Sequence, residues 1–163
     1  LGLVGRPGSM KGCEFLPLQS IQDTFVSTDT YLSNLSLREK DSNLFHTAVF
    51  MMLDEENITR QFVNDALREQ GIELKNVLEV TSMDLLIEFA KIGMGAACVI
   101  REFVQKELDQ KELLEVPLGI AFPPREIGFA CLKESMDLSP VREFLALSGA
   151  GEKPAKKPAS GKA

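Results

Sequence analysis

Short apolar runs alternate with amphipathic segments through the middle of the chain. Three such runs, residues 46–53, 77–80 and 96–100, are each followed by a segment in which apolar residues recur every three or four positions. A run of that length is typical of a buried strand, and the recurrence is typical of one face of a helix. The pattern predicts three successive strand–helix units, with Thr81 capping the second helix three residues before Asp84.

Strands that alternate with helices predict a parallel sheet, because parallel strands need crossover connections. A further strand is predicted in residues 112–118, and residues 14–32 are predicted to form strand, loop and strand. A last helix is predicted in residues 139–147, with Ser139 as its N-cap and Pro140 at its first position. The predicted fold class is therefore α/β.

Two segments are predicted to carry the chain between two lobes. One lies near residues 24–27, and the other near residues 120–124, where two consecutive prolines cannot continue a central strand. The prediction is a discontinuous lobe I (1–26 and 122–148) and a continuous lobe II (27–121). The remaining Lys/Ala/Pro-rich tail, 149–163, is predicted to be disordered.

The composition is that of a soluble globular protein, with 44% hydrophobic and 26% charged residues. A net charge of −6 argues against direct binding to a nucleic-acid backbone. The charge is unevenly distributed, because the last 13 residues carry +3 and the preceding sequence carries −9. The three cysteines, Cys13, Cys98 and Cys131, lack paired spacing, which predicts reduced thiols in a cytoplasmic protein.

The sequence Gly93-Met94-Gly95 raises the question of a nucleotide-binding loop. A dinucleotide fingerprint follows a strand and opens a helix, and it has glycine at its sixth position. Here the glycines follow a predicted helix and precede a strand, and the sixth position is Cys98. We interpret Gly93 as a helix stop and predict no nucleotide site.

Candidate catalytic and metal-binding residues are few. His46 is the single histidine, and no serine or cysteine motif accompanies it. The acidic residues 54–56 are interpreted as a solvated turn near a helix N-terminus, where the helix dipole favours negative charge. We therefore predict no catalytic residue, no metal site and no cofactor.

The starts of the three predicted helices are better candidates for a binding site. They occupy residues 57–60, 81–84 and 100–102, each just after the carboxyl end of a predicted strand. In an open α/β sheet that edge is where ligands bind, and unpaired helix N–H groups favour an anion there. This arrangement predicts a cleft for a small molecule.

Residues 65–104 (DALREQGIELKNVLEVTSMDLLIEFAKIGMGAACVIREFV) resemble the second lobe of the effector-binding domain of LysR-type transcriptional regulators. The opening LGLVGRP and the late LSPVREFLAL resemble a strand of the first lobe and the final helix of the same domain. The resemblance covers nearly all of residues 1–148. It implies a type 2 periplasmic-binding-protein-like fold, with two α/β lobes joined by two crossing strands.

The resemblance also implies a role and partners. Such a regulator is cytoplasmic, forms a homodimer or homotetramer, and binds a small, often anionic metabolite between its lobes. It contacts DNA through a winged helix-turn-helix, which nothing in this sequence matches, and no membrane partner is implied. The sequence begins inside an apparent strand, so we expect the DNA-binding module and the first half of lobe I to lie outside it.

The family's ligand-binding segments map onto three parts of this chain and onto a loop near its start. Thr59, Thr81 and Ser82 are expected to donate hydrogen bonds, and Arg6, Arg60 or Arg101 to supply the charge partner. Glu56 and Ile58 depart from the family pattern, which has glycines there. The full predicted set is Gly5, Arg6, Pro7, Asn57, Thr59, Arg60, Thr81, Ser82, Met83, Ile100 and Arg101.

Two other functions were weighed against an effector sensor. An α/β enzyme would need a nucleophile–base pair or a set of metal ligands, which a chain with one histidine does not offer. A solute-binding protein of a transport system would share the fold, but it would need a secretory signal, and the three unpaired cysteines argue against it.

Overall fold

The chain forms two compact units in a computed structural model that describes residues 1–6, 11–38 (Arg38 by its backbone alone) and 44–150. The first unit comprises Leu1–Ile21 and the chain from Pro124 onward, and the second comprises Gln22–Pro123. Residues 22–26 and 122–123, assigned above to lobe I, therefore lie in the second unit. Interpretation of the units as lobes I and II stays a prediction, and most of the predicted disordered tail falls outside the described residues.

The second unit is an α/β structure built on one five-stranded sheet. Its elements, in chain order, are β3 (Asp23–Ser27), α1 (Asp29–Arg38), α2 (Leu44–Thr47), β4 (Val49–Leu53), α3 (Ile58–Glu69), β5 (Asn76–Val80), α4 (Met83–Lys91), β6 (Ala96–Ile100), a 3₁₀ helix (Arg101–Val104), α5 (Gln105–Asp109) and β7 (Leu114–Glu115). The strand order across the sheet is β5-β4-β6-β3-β7.

Strand β4 is paired in parallel with both β5 and β6. Leu53 aligns with Val80, and Met51 with Ala97, so these three strands run in register towards the same edge. Strand β3 is antiparallel to β6, with Asp23 opposite Ile100, and therefore starts at that edge. The carboxyl ends of β5, β4 and β6 and the beginning of β3 consequently lie side by side.

Both faces of this sheet are covered by apolar side chains, which is why its central strands are continuous apolar runs. All five residues of β6 are buried. One face packs Phe25, Phe50 and Val63 into a core cluster. The other face packs Met51 and Leu86, among others, into a second cluster. Strands buried on both sides hold the carboxyl edge in a fixed geometry.

The first unit contains β1 (Gly2–Gly5), β2 (Cys13–Ile21), β8 (Arg125–Leu132), a 3₁₀ helix (Lys133–Ser135) and α6 (Ser139–Ser148). Its antiparallel sheet has the order β1-β8-β2. Helix α6 packs on the sheet through Phe144, whose ring lies edge-on to Phe129 at 5.1 Å between centroids. Gly128 has no side chain, and this leaves room for the Phe15 ring. A Cβ at residue 128 would lie 2.8 Å from a carbon atom of that ring.

The predicted strand at residues 46–53 is wrong at its beginning. His46 lies in the short helix α2, and the strand starts at Val49. Ala48 N donates to Leu44 O at 3.0 Å, and Leu44 and Phe45 pack against the first core cluster. The apolar residues before Val49 therefore reach the core from a helical turn rather than from a strand.

The two strands predicted in residues 14–32 are β2 and β3, but the prediction is wrong at its end, because the residues from Asp29 onward belong to helix α1. Thr28 Oγ1 accepts a hydrogen bond from Tyr31 N at 3.2 Å and so caps the helix. Leu32 and Leu35 then pack on the first core cluster. The spacing of three residues between these leucines is typical of one face of a helix. Two apolar residues are too few to predict a helix from the sequence.

Three predicted helix starts also need correction. Ser82, rather than Thr81, is the N-cap of α4 and accepts from Leu85 N at 3.3 Å, because Ser82 itself has the extended backbone (φ −145°, ψ 154°) of a cap. Helix α6 has Leu138 as its N-cap, and Ser139 is its first residue. The helical part of the third unit begins as a 3₁₀ helix, Arg101–Val104, and Arg101 N donates to Gln22 O at 2.8 Å.

We predict that Gly95→Ala destabilises the second unit by about 1–3 kcal/mol, the usual range for overpacking. A Cβ at residue 95 would lie 2.6 Å from Val49 O, a backbone atom that cannot turn away. Gly2→Ala is the control, because nothing lies within 4 Å of a Cβ there. Tyr31 is the one tyrosine of a chain without tryptophan, so its fluorescence during urea unfolding reports on the second unit. Equal unfolding midpoints for the two variants would contradict the close approach of β6 to β4.

Candidate ligand-binding site

The structure places the predicted residues of the second unit on three neighbouring strands of one sheet edge. Thr81 follows β5, Asn57 follows β4 and Arg101 follows β6. Adjacent strands lie about 5 Å apart, so Thr81 and Arg101 are separated by about 10 Å across the sheet. The predicted set therefore spans an edge rather than a single point.

The polar side chains at the starts of α3 and α4 serve as helix caps. Asn57 Oδ1 accepts from Thr59 N at 2.9 Å, and Ser82 Oγ accepts from Leu85 N. A hydroxyl that accepts one hydrogen bond still has its O–H to donate, so the Ser82 hydroxyl can contact a ligand while it caps α4. Thr81 is exposed beside it, and Met83 packs against the second core cluster.

Arg60 is buried and holds α3 to the sheet. Its Nη1 donates to Leu53 O at 2.8 Å and its Nε donates to Asn64 Oδ1 at 2.9 Å. Nη1 also lies 3.8 Å from a carboxylate oxygen of Glu79 on β5. With 7% of its surface exposed, this guanidinium has a structural task, and its part in ligand binding stays a prediction.

The predicted residues near the start of the chain lie in the first unit. Gly5 ends β1 opposite Ile127. Arg6 forms an ion pair with Glu126, and its guanidinium carbon lies 5.4 Å from the centre of the Phe15 ring. Pro7 falls outside the described residues.

Arg101 lies at the mouth of a cavity of about 400 Å³ in the second unit. Its Nε donates to Glu115 Oε1 at 3.1 Å, and its Nη1 donates to Gln105 Oε1 at 3.0 Å. Thr24 Oγ1 donates to the same Glu115 oxygen at 3.1 Å. The cavity is lined by Gln22, Asp23, Thr24, Phe25, Arg101, Glu115, Val116, Leu118, Ile120 and Phe122.

The Arg101–Glu115 pair can be exchanged for a ligand at small cost. The two side chains are 36% and 45% exposed. Ion pairs exposed to solvent contribute only about 0.2–1 kcal/mol, because water already solvates both charges. Among Arg6, Arg60 and Arg101, the three predicted charge partners, Arg101 is the one that is both partly exposed and part of the lining of this cavity.

Several residues of this cavity were not predicted from the sequence. Gln22 and Asp23 occupy the junction between β2 and β3, and Glu115 comes from the short strand β7. Asp23 is only 2% exposed, but its sequence neighbours Gln22 and Thr24 are polar, so no local pattern indicated its burial. Glu115 and Thr24 are 91 residues apart in sequence, so their contact depends on the tertiary fold.

Behind the edge, an ion pair joins α4 to α5. Lys91 Nζ lies 3.1 Å from a Glu107 carboxylate oxygen, and the hydrogen bond between them raises the pKa of Lys91. The pKa of Glu107 is lowered, first by a hydrogen bond from its own backbone N–H and then by Lys91. Both groups therefore stay charged at neutral pH, and their ion pair links α4 to α5.

The described part of the chain offers no metal site and no membrane-spanning helix. Across residues 1–6, 11–38 and 44–150, no group of three or more His, Cys, Asp or Glu is placed to hold a metal ion. Within those ranges, no helix is both long and apolar enough to cross a membrane. Within the same ranges, Cys13, Cys98 and Cys131 do not form disulfide bonds.

Comparison with known proteins identifies the relatives of this fold. The family model for the LysR substrate binding domain matches residues 1–151. The regulatory domain of CrgA, a LysR-type transcriptional regulator from Neisseria meningitidis, is 15% identical, with a TM-score of 0.67 over 90% of this chain and 72% of that one. The CcmR regulatory domain from Synechocystis PCC6803, in complex with 2-PG, is 17% identical, with a TM-score of 0.70 over 90% and 70%.

A third similar structure is the effector binding domain of QuiR in complex with shikimate. It is 14% identical, with a TM-score of 0.66 over 90% of this chain and 68% of that one. Identities this low show the fold alone, and the predicted periplasmic-binding-protein-like fold class is confirmed. A search of curated proteins gave no match.

We predict that Arg60→Met lowers the free energy of unfolding by about 2–3 kcal/mol, because Leu53 O and Asn64 lose a charged hydrogen-bond donor inside the protein. Arg68→Met, on the same helix but paired with Asp65 in solvent, is the control and should change stability by less than about 0.5 kcal/mol. Urea unfolding followed by Tyr31 fluorescence measures both. A stable Arg60→Met protein with impaired ligand binding would instead make Arg60 a ligand contact.

Proposed function

Because this chain belongs to the family of LysR substrate-binding domains, which are regulatory effector-binding domains rather than enzymes, we propose that it senses a small metabolite carrying an anionic group. The family match over residues 1–151 is the observation that carries this proposal. The sensed molecule would control a DNA-binding transcription regulator in the cytoplasm, assembled as a homodimer or homotetramer. DNA would be contacted through a winged helix-turn-helix, which this sequence does not match.

Two observations support a small molecule as the effector. The relatives CcmR and QuiR are described in complex with 2-PG and shikimate. The cavity beside Arg101, about 400 Å³, falls within the usual range for small-molecule sites. A small metabolite therefore fits the cavity at this edge of the second unit.

The expected anionic group rests on the electrostatics of this edge. Helices α3 and α4, of 12 and 9 residues, both begin there, and the N-terminal N–H groups of a helix attract negative charge. Arg101 adds a guanidinium whose present partner can be exchanged. These features support an acidic group on the effector, received near Ser82 or near Arg101.

A bound effector controls a regulator only through unequal affinity for two arrangements of the protein. The shift in that equilibrium equals the difference in binding free energy between the arrangements. Residues that contact the ligand while anchoring a helix are suited to this task. Ser82 combines a predicted ligand contact with the cap of α4, to which its oxygen contributes.

A thermal-shift screen of small carboxylic acids and phosphorylated metabolites against the purified protein tests the proposal. A ligand that binds only the folded state raises the unfolding temperature by mass action. We expect at least one acid to do so in a concentration-dependent manner. A complete absence of binding across this screen and across a set of amino acids, checked by titration calorimetry, would contradict an effector-sensing role.

We predict that Ser82→Asp weakens binding of an anionic effector by about tenfold, whereas Ser82→Asn changes it much less. Both replacements keep a good N-cap for α4, so helix stability is matched and only the added negative charge differs. Ser82→Ala is less informative, because loss of the cap alone costs about 0.5–2 kcal/mol. Titration calorimetry with an acid found in the screen measures the affinities, and equal affinities for the two variants would remove Ser82 from the site.

A further inference from the structure

We propose that the cavity beside Arg101 recognises a zwitterion, a small molecule that carries both a carboxylate and a protonated amine. Its carboxylate would pair with Arg101 and its ammonium with Glu115. This inference rests on the proposed function and names the class of ligand. The candidates with this chemistry are free α-amino acids and closely related compounds.

Arg101 is the arginine best placed to receive a carboxylate. Arg60 is buried and holds Leu53 O and Asn64, and Arg6 lies in the first unit, paired with Glu126 and stacked on Phe15. Arg101 uses Nε and Nη1 for Glu115 and Gln105. Its Nη2 has no partner among the described residues, so part of the guanidinium remains open to a ligand.

Glu115 is both a competitor and a second point of recognition. Its Oε1 accepts hydrogen bonds from Arg101 Nε and from Thr24 Oγ1. Its Oε2 has no partner in the described part of the chain. A ligand carboxylate can take over the guanidinium, and the Glu115 carboxylate that it displaces can then pair with another positive group. An ammonium group on the same ligand supplies that partner.

The charge of the cavity lining separates a zwitterion from a simple acid. Arg101 contributes a guanidinium to the lining and Glu115 contributes a carboxylate, and the two are paired. A simple anion that binds Arg101 competes with the Glu115 carboxylate and is repelled by it. An anion that also carries an ammonium complements both signs of charge, which favours its binding over that of wrong partners.

The remaining wall of the cavity is apolar. Phe25 and Phe122 have ring centroids 5.9 Å apart, and Val116, Leu118 and Ile120 complete the wall. A side chain of aliphatic or aromatic character can pack on this surface while the charged head groups face Arg101 and Glu115. This combination is typical of sites that orient a small ligand through a few polar groups on an apolar surface.

The test compares matched compounds on the purified protein. Each set contains an L-amino acid, the carboxylic acid that lacks its amine, and the amine that lacks its carboxylate, for example L-leucine, 4-methylpentanoate and isoamylamine. Titration calorimetry and thermal shift should show binding of at least one amino acid, with its two truncated relatives weaker by about tenfold or more. Equal binding of the deaminated acid would overturn the proposal.

Variants then assign the two head groups. Arg101→Gln should abolish binding of the amino acid. Glu115→Gln should weaken it, yet strengthen binding of the deaminated acid, because the internal competitor for Arg101 has lost its charge. Glu112→Gln, an exposed glutamate three residues away, is the control and should leave all affinities unchanged. An unchanged order of affinities in Glu115→Gln would overturn the assignment of the ammonium site.

The outcome also separates this inference from the proposed function. If acids without an amine bind and respond to Ser82→Asp but not to Arg101→Gln, the sensor function stands and the zwitterion site is wrong. If no compound of the acid screen or of the amino-acid sets binds, both the sensor function and the zwitterion site are contradicted.

Discussion

The parallel pairing of β4 with both β5 and β6 fixes where the predicted ligand-binding residues of the second unit lie. Because Leu53 is in register with Val80 and the chain leaves β6 at Ile100, three strands deliver their following residues to one edge. The pairing in turn depends on burial of both faces of the sheet and on a close approach of Gly95 to the backbone of Val49. A larger residue at 95 would force these strands apart.

The distribution of carboxylates decides what each arginine at this edge can do. In a chain with net charge −6, each arginine considered for binding already has an acidic neighbour. Burial then separates their roles. Arg60 is buried against acceptors on β4 and α3, so breaking its hydrogen bonds would cost a large free energy. Arg101 and Glu115 are partly exposed and can exchange partners. An arginine with an acidic neighbour is therefore structural at Arg60 and available to a ligand at Arg101.

The units built from apolar runs were predictable from the sequence, since strands buried on both faces leave a clear pattern. Strand β6 was found for that reason, whereas the largely exposed strand β5 was found from a short apolar run and helix α3 from apolar residues recurring on one face. The cap of α4 was missed by one residue, because Thr81 and Ser82 are both good caps and only the backbone dihedral angles distinguish them. Helix α1 carries too few apolar residues to reveal its period.

The cavity beside Arg101 shows a different limit. Its walls come from β3, β7 and residues 118–122, segments that no local pattern connects. Arg101 was predicted as a charge partner through a family resemblance, but Glu115, which shares its guanidinium, was not. Sequence patterns identify residues that follow strands; they do not identify the neighbour that a distant strand supplies.

Backbone amide chemical shifts, measured by NMR during a titration with pooled amino acids and small acids, show whether a ligand binds at the carboxyl edge of the sheet. We expect the amides of Gln22, Ser82, Arg101 and Glu115 to shift with increasing ligand, and those of Gly71 and Gly93, at the far ends of α3 and α4, to stay unchanged. Shifts confined to Gly71, Gly93 and their neighbours, with no change at the carboxyl edge, would contradict this expectation.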